Sequence, residues 1–236
     1  FNITHPCKQS VMEHLHELSD AARALGAVNC VVIREDGSFY GDNTDYSGFI
    51  AGLKRGLPQV AEDPARLEHV VQLGAGGAGS ATAYALCRLG VHRLSLFERD
   101  AAKAQELAEQ LGGLFPQTRI EVLTDDERLI EALLEAQGLV NATPVGMHVH
   151  PGMPLSESAL SAGVLREGLW VADVIYLPQQ TQLVRAARAA GCEVLTGGYM
   201  AVGQAVDAFR LFTGLEPNAE RMAAHFEVLI AAQQGI

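Results

Sequence analysis

The chain has 236 residues, enough for one large domain or two modest ones with a sizeable core. Seventeen Lys and Arg against 28 Asp and Glu leave a formal net charge of −11 with no basic block, which disfavours nucleic acid and anionic membrane surfaces as partners. A composition 48% hydrophobic and 19% charged is globular, and Gly, Ser, Gln or a charge breaks every apolar run before it reaches membrane-spanning length.

The chain begins at Phe1, and Phe1-Asn2-Ile3-Thr4 reads as a strand, so the sequence looks like a domain entered partway, with an N-terminal portion expected upstream and no secretory leader in view. Pro6 suits the first turn of a helix, with Thr4 or His5 near its cap. At about 100° per residue, Lys8 falls inside the arc set by Val11, Met12, Leu15 and Leu18. Burial there favours the neutral amine and makes proton exchange near neutral pH feasible. The alternative is a lysine that snorkels to water from the end of the stripe.

Val28 to Ile33, Arg34 to Ser38 and Phe39 to Gly41 read as strand, turn and strand, with Asp36-Gly37 suited to a tight hairpin turn. Asn43-Thr44-Asp45 then leads into a helix whose apolar positions are Tyr46, Phe49, Ile50 and Leu53. Thr44 or Asp45 can serve as its N-cap. The sharper reading sets Asp45 across a cleft from Lys8, as a pair that takes the proton of a secondary alcohol while hydride leaves for a nicotinamide. Residues 1–57 form a separate lobe in this reading, and the stretch from Gly56 to Pro64 is the expected linker.

From residue 69 onward, short apolar runs alternate with helical patterns. The runs are 69–73, 94–97, 120–123, 138–141, 169–175 and 193–195; the helices are 78–89, 101–111, 126–136 and 181–190. That alternation predicts βαβ units and a Rossmann-type doubly wound parallel sheet, so the fold class is α/β with a smaller α/β substrate lobe. Two further helices, 201–212 and 219–232, have no strand after them and are free to return to the first lobe.

Gly74-Ala75-Gly76-Gly77-Ala78-Gly79 follows the first of these strands and opens a helix, and Glu98 ends the next strand, 19 residues beyond Gly79. This is the context of a dinucleotide site. Gly74 permits the tight turn, Gly76 close approach to a pyrophosphate and Gly79 close packing of helix on strand, while the N–H groups of the helix start face the phosphates. A carboxylate at Glu98 bonds both ribose hydroxyls and repels a 2′-phosphate, which favours NAD. Arg99 and Lys103 are cations placed to pair with such a phosphate, so NADP is the weaker alternative. His148 and His150 lack a Cys or carboxylate at ligand spacing and read as a polar loop, so no metal is expected. Ser47 and Ser80 have no nearby base, which leaves a hydrolase triad without support. Four scattered cysteines with no CxxC suit reduced thiols in a cytoplasmic protein.

Taken together, Asn2-Ile3-Thr4-His5-Pro6-Cys7-Lys8, Gly26-Ala27-Val28-Asn29, Asn43-Thr44-Asp45, the glycine run, Asn141-Ala142-Thr143-Pro144-Val145-Gly146-Met147 and Gln204 to Phe209 resemble the shikimate dehydrogenase family. The similarity is greatest to its NAD-using quinate/shikimate dehydrogenase branch, with His150-Pro151-Gly152 also similar, and it runs in order over essentially the whole chain. It implies interconversion of shikimate with 3-dehydroshikimate, or of quinate with 3-dehydroquinate. Lys8 and Asp45 fall on the family's catalytic pair. Thr4, Asn29, Asp45 and Gln204 fall on positions that hold substrate hydroxyls, and Tyr176 on one that flanks the substrate. Thr143, Pro144 and Met147 match the loop that contacts the cofactor, and Gly197 and Met200 lie near the nicotinamide. NADP-preferring members usually carry Asn-Arg-Thr/Ser where this chain has Glu98-Arg99-Asp100, which again favours NAD. The family's first strand and helix, which grip the substrate carboxylate, have no counterpart.

Two other readings stand beside this one: a non-catalytic regulator that binds NAD and a ring acid on the same scaffold, and a dehydrogenase of an amino-substituted shikimate analogue. A homodimer is one assembly open to the chain.

Overall fold

A computed structural model describes residues 1–4 and 7–233, and two sheets organise it. The smaller has the order β1-β3-β2, with β1 at Glu17–Leu18, β2 at Cys30–Ile33 and β3 at Phe39–Asp42. β2 and β3 form the expected antiparallel hairpin, Cys30 opposite Asp42 and Ile33 opposite Phe39. Gly37 turns the chain at φ +82°, a region that an L side chain enters only at a cost. Residues 1–3 lie extended beside β2, but as a single bridge at Asn2 and Cys30 rather than as a strand.

The segment after Lys8 departs from the helix expected there, and the proposed start at His5 and Pro6 lies outside the described residues. A short 3-10 helix, Ser10–His14, ends at an extended Leu15 and gives way to β1, which runs parallel to β3. The cause is the open edge of β3: the amides of His16 and Ser19 bond to the carbonyls of Phe39 and Gly41 at 2.9 Å each. Val11, Met12, Leu15 and Leu18 still share one side, packed on a small core of Ala22, Val28 and Val31. The helix α1, Asp20–Leu25, is not among the expected ones. Ser19 caps it by accepting the Ala22 amide, and Gly26 ends it at φ +61°.

The helix after Asn43-Thr44 is α2, Asp45–Gly56, with Phe49 and Leu53 buried. The stretch expected to be a linker is instead packed structure: α3, Pro58–Glu62, and a 3-10 turn, Pro64–Leu67, with Leu57, Val60 and Leu67 buried.

The larger sheet contains β4 (His69–Leu73), β5 (Arg93–Phe97), β6 (Arg119–Leu123), β7 (Gly138–Asn141), β8 (Trp170–Asp173) and β9 (Glu193–Leu195) in the order β6-β5-β4-β7-β8-β9. Every pairing in it is parallel. The intervening helices are α4 (Gly77–Arg88), α5 (Ala101–Leu114), α6 (Asp126–Glu135), α7 (Glu157–Ser161) and α8 (Gln182–Ala189); α9 (Gly197–Thr213) and α10 (Ala219–Gln233) follow β9. Alternate strand residues serve opposite cores. Val70, Leu94 and Val140 pack with α4, α5 and α2, whereas Val71, Leu139 and Val171 pack with α6 and α8. Both faces are thus covered, as a parallel sheet requires. Strand order reverses between β4 and β7, the point at which such sheets open a ligand crevice at their carboxyl edge.

α9 begins four residues earlier than the pattern indicates, and it lies so close along α2 that backbones touch. A Cβ on Gly48 would sit 2.9 Å from the Gln204 Cα, and one on Gly203 2.9 Å from the Gly48 Cα.

Candidate functional site

Three segments distant in sequence converge at the start of α2. Lys8 Nζ donates to Asp45 Oδ2 at 2.6 Å, and Asn29 Nδ2 donates to Asp45 Oδ1 at 3.0 Å. Asn29 also donates to Thr44 Oγ1 at 3.0 Å and accepts the Thr44 amide at 2.8 Å. Asn43 Oδ1 takes the Asp45 amide, and Asn43 Nδ2 reaches the Ala27 carbonyl, each at 3.0 Å. The Lys8 carbonyl in turn accepts the Val28 amide at 2.8 Å, which fixes the turn that carries the lysine.

The capping explanation for Asp45 falls away in this arrangement. Thr44 holds the N-cap position without a side-chain cap bond, and the Asp45 carboxylate faces Lys8 and Asn29 instead of its own helix. The Asp45 side chain is 12% exposed and that of Lys8 25%, so the pair is shielded yet open to a small molecule. An ammonium and a carboxylate held in contact, with the second carboxylate oxygen fixed by an amide, can bind a hydroxyl and exchange its proton. Thr4 lies at the surface nearby in the chain, its carbonyl accepting the Cys7 amide at 2.9 Å.

The glycine turn sits at the switch point between β4 and β7. Gly74 has φ +97°, and a Cβ there would meet the Ala142 carbonyl at 2.9 Å. A Cβ on Gly79 would collide with the Gly74 carbonyl, whereas those on Gly76 and Gly77 would meet nothing within 4 Å. Two glycines are therefore demanded by packing, and two open the turn to an approaching group. No side chain caps α4, which begins at Gly77 with Ala78 in its first turn, so its leading N–H groups are available to an anion. Glu98 stands over the turn, with Oε2 accepting the Ala75 amide at 3.0 Å. These features fit the pyrophosphate and ribose of a dinucleotide. Arg99 is exposed at the same edge, and Lys103 lies 3.7 Å from Asp100 within its own helix.

Further residues line the carboxyl ends of β7, β8 and β9. Thr143 bonds through Oγ1 to Asn141 Oδ1 at 2.7 Å, and Pro144 and Met147 follow it at the surface. Tyr176 is half exposed, its ring edge-on to Phe226 of α10 at 6.3 Å. Gly197 presses against the Val174 carbonyl, where any Cβ would collide, and Met200 one turn on is buried. Gln204 lies against Gly48, one turn beyond Asp45, and donates to its own helix at the Ala201 carbonyl.

Asp173, at the end of β8, has no signal in the sequence beyond a carboxylate closing an apolar run. Wholly buried, it accepts from Thr181 Oγ1 at 2.7 Å and from Asn141 Nδ2 and the Ile175 amide at 3.1 Å. It thereby ties the loops after β7 and β8. Burial pushes its carboxyl up to about 6, against the pull of those three donors. Among the described residues, no group of three or more His, Cys, Asp or Glu is placed to hold a metal ion.

A doubly wound sheet with this turn at its switch point defines the class of Rossmann-type dinucleotide-fold proteins. The family model of the shikimate dehydrogenase substrate binding domain matches residues 1–31, and that of the shikimate 5'-dehydrogenase C-terminal domain matches residues 199–225. A shikimate dehydrogenase (NADP(+)) of Arthrobacter sp. (strain FB24) is 56% identical over 233 residues, 99% of this chain and 75% of the relative. A quinate/shikimate dehydrogenase (NAD(+)) of Corynebacterium efficiens is 49% identical over 225 residues, 95% of this chain and 75% of the relative. The structure of quinate dehydrogenase from Corynebacterium glutamicum in complex with NAD superposes with a TM-score of 0.86 at 47% identity, covering 96% of this chain and 77% of that one. The chain belongs to the shikimate dehydrogenase family.

Proposed function

We propose that this chain catalyses reversible oxidation of a ring hydroxyl of shikimate or quinate, with Lys8 and Asp45 as the proton-transfer pair and NAD preferred over NADP. The 2.6 Å contact between Lys8 and Asp45, reinforced by Asn29, carries the reading. A bound nicotinamide supplies a hydride acceptor. With hydride passing to it, the hydroxyl proton would go to the Asp45 carboxylate, hydrogen-bonded by the Lys8 ammonium, and would return from there in reduction. Asn29 keeps the carboxylate oriented, and Thr4, Tyr176 and Gln204 hold or flank the ring substituents. Thr143, Pro144, Met147, Gly197 and Met200 would border the nicotinamide end, and Gly76, Gly77 and Ala78 would receive the phosphates on a turn shaped by Gly74 and Gly79.

The preference for NAD is supported by Glu98, whose carboxylate is anchored on the turn itself and repels a 2′-phosphate. The neighbouring Arg99 and Lys103 oppose that carboxylate, and relatives carry both names, NADP(+) and NAD(+). In the same reading, residues 1–57 form the substrate lobe, 58–200 the dinucleotide lobe, and 201–236 return to the first, with 5, 6 and 234–236 outside the described residues. Initial rates of the full chain with shikimate and quinate, each with NAD and NADP, test all of this. NADH formation exceeding NADPH formation with at least one acid is expected. No turnover with either acid would remove the proposal, and faster NADPH formation would remove its cofactor half.

A further inference from the structure

We infer that Gln72 is a positioning residue that sets the shape of the dinucleotide turn from beneath and holds it ready for the pyrophosphate and ribose. The inference rests on the proposed function and extends it to a side chain that touches no ligand. Gln72 lies within the otherwise apolar end of β4, Val70-Val71-Gln72-Leu73, and is fully buried. An amide there is costly unless each polar atom finds a partner, and all of them do. Nε2 donates to the Gly74 carbonyl at 2.9 Å and to the Gly79 carbonyl at 2.8 Å, while Oε1 accepts Thr82 Oγ1 at 2.8 Å. One side chain therefore joins the first and last glycines of the turn to the second turn of α4.

The consequence for the site runs through a single peptide plane. The unit between Gly74 and Ala75 has its carbonyl held by Gln72 and its N–H held by Glu98 Oε2 at 3.0 Å. In a trans peptide these two groups point in opposite directions, so Gln72 below and Glu98 above fix one plate between them. The carboxylate that selects the ribose is thereby placed by a hydrogen bond whose direction Gln72 determines. An apolar residue of the same length would leave the plate anchored at one end only.

Gln72→Met removes the amide and keeps the length. In the full chain, NADH and NADPH are titrated by quenching of protein fluorescence without any acid present, and apparent Kd for shikimate is measured separately. Gln72→Met is expected to weaken NADH binding about tenfold and NADPH binding less, narrowing the ratio between them, with the shikimate Kd unchanged. Thr82→Val, which removes the partner of Oε1 together with the hydroxyl's contacts to the Ala78 and Gly79 carbonyls, is expected to weaken NADH about threefold and covers the case in which Gln72→Met does not fold. NADH affinity equal to wild type in a folded variant overturns the inference, as does an equal loss for both dinucleotides. A wild-type chain that binds neither dinucleotide sinks the functional reading as well, whereas wild-type binding matched by the variants sinks this inference alone.

Discussion

The polar cluster around Asp45 and the glycine turn after β4 are built by opposite means. The cluster is made of side chains from residues 8, 29 and 43–45, brought together by folding and joined by hydrogen bonds between side chains. The turn exposes only backbone, within six consecutive residues, and its shape follows from where a Cβ is and is not tolerated and from the Gln72 and Glu98 side chains that brace it from either side. Side chains that converge from afar can donate and accept protons; a bare backbone loop can only offer N–H groups and room. Under the proposed function, chemistry and dinucleotide binding fall to different kinds of construction within one fold.

The sharpest way to break that contrast is Lys8→Ala. A proton-transfer group lost from the cluster is expected to lower kcat by about 10²- to 10⁴-fold with little change in NAD affinity, measured by steady-state kinetics alongside dinucleotide titration; an unchanged kcat would return Lys8 to a structural role. On the other side, Asp173 underlies the loops flanking the turn. Its carboxyl rises from 3.8 in the unfolded chain to about 6 in the native one, so its stabilising contribution is complete below pH 4 and lost as pH climbs through 6. Between pH 4 and 7 that loss amounts to about 2 kcal/mol, because each tenfold gain in proton affinity on folding is worth about 1.4 kcal/mol and the unfolded carboxyl is already partly ionised at pH 4. Asp173→Asn is expected to flatten this part of the stability profile, read from urea unfolding at each pH; a profile parallel to wild type would show that Asp173 does not govern it.

Gly48→Ala addresses the helix that carries Asp45, where a methyl meets the Gln204 backbone of α9. A loss of about 2 kcal/mol is expected from overpacking, seen as a lower denaturation midpoint. The smallest effect is reserved for Glu98→Ser, expected to shift the NAD-to-NADP ratio of kcat/KM about tenfold towards NADP while leaving kcat with NAD near its original value. Retention of the full NAD preference would assign cofactor selection elsewhere.

The two constructions also differ in how far they can be read from residues alone. Strands, helices and the glycine turn of the larger sheet are local: a period, a glycine spacing and a carboxylate at the next strand end lie within a short window, and observed boundaries from β4 to β9 follow the pattern closely. The arc that sets Lys8 among apolar neighbours assumes an α-helix, whereas the backbone there is 3-10 helix and strand, so the lysine's meeting with Asp45 comes from folding and not from that period. Edge pairing with β3 is a non-local contact that no periodicity records. Asn29 carries no local signal of its bonds to Thr44 and Asp45, since a lone amide before an apolar strand looks the same wherever it points. Gln72 is visible as a polar residue in an apolar run, but its partners are evident only once the turn has closed over it.

The glycines that bring α2 and α9 into backbone contact have a mechanical corollary. With Gly48 and Gly203 leaving no side-chain layer between the two axes, neither helix can slip lengthwise past the other without a clash of main-chain atoms. Asp45 at the head of α2 and Gly197 at the head of α9, beside the end of β8, are therefore joined through a stiff double strut. Any motion along this seam has to carry both helices together as one lever, with the flexure in the connections at the strut's ends.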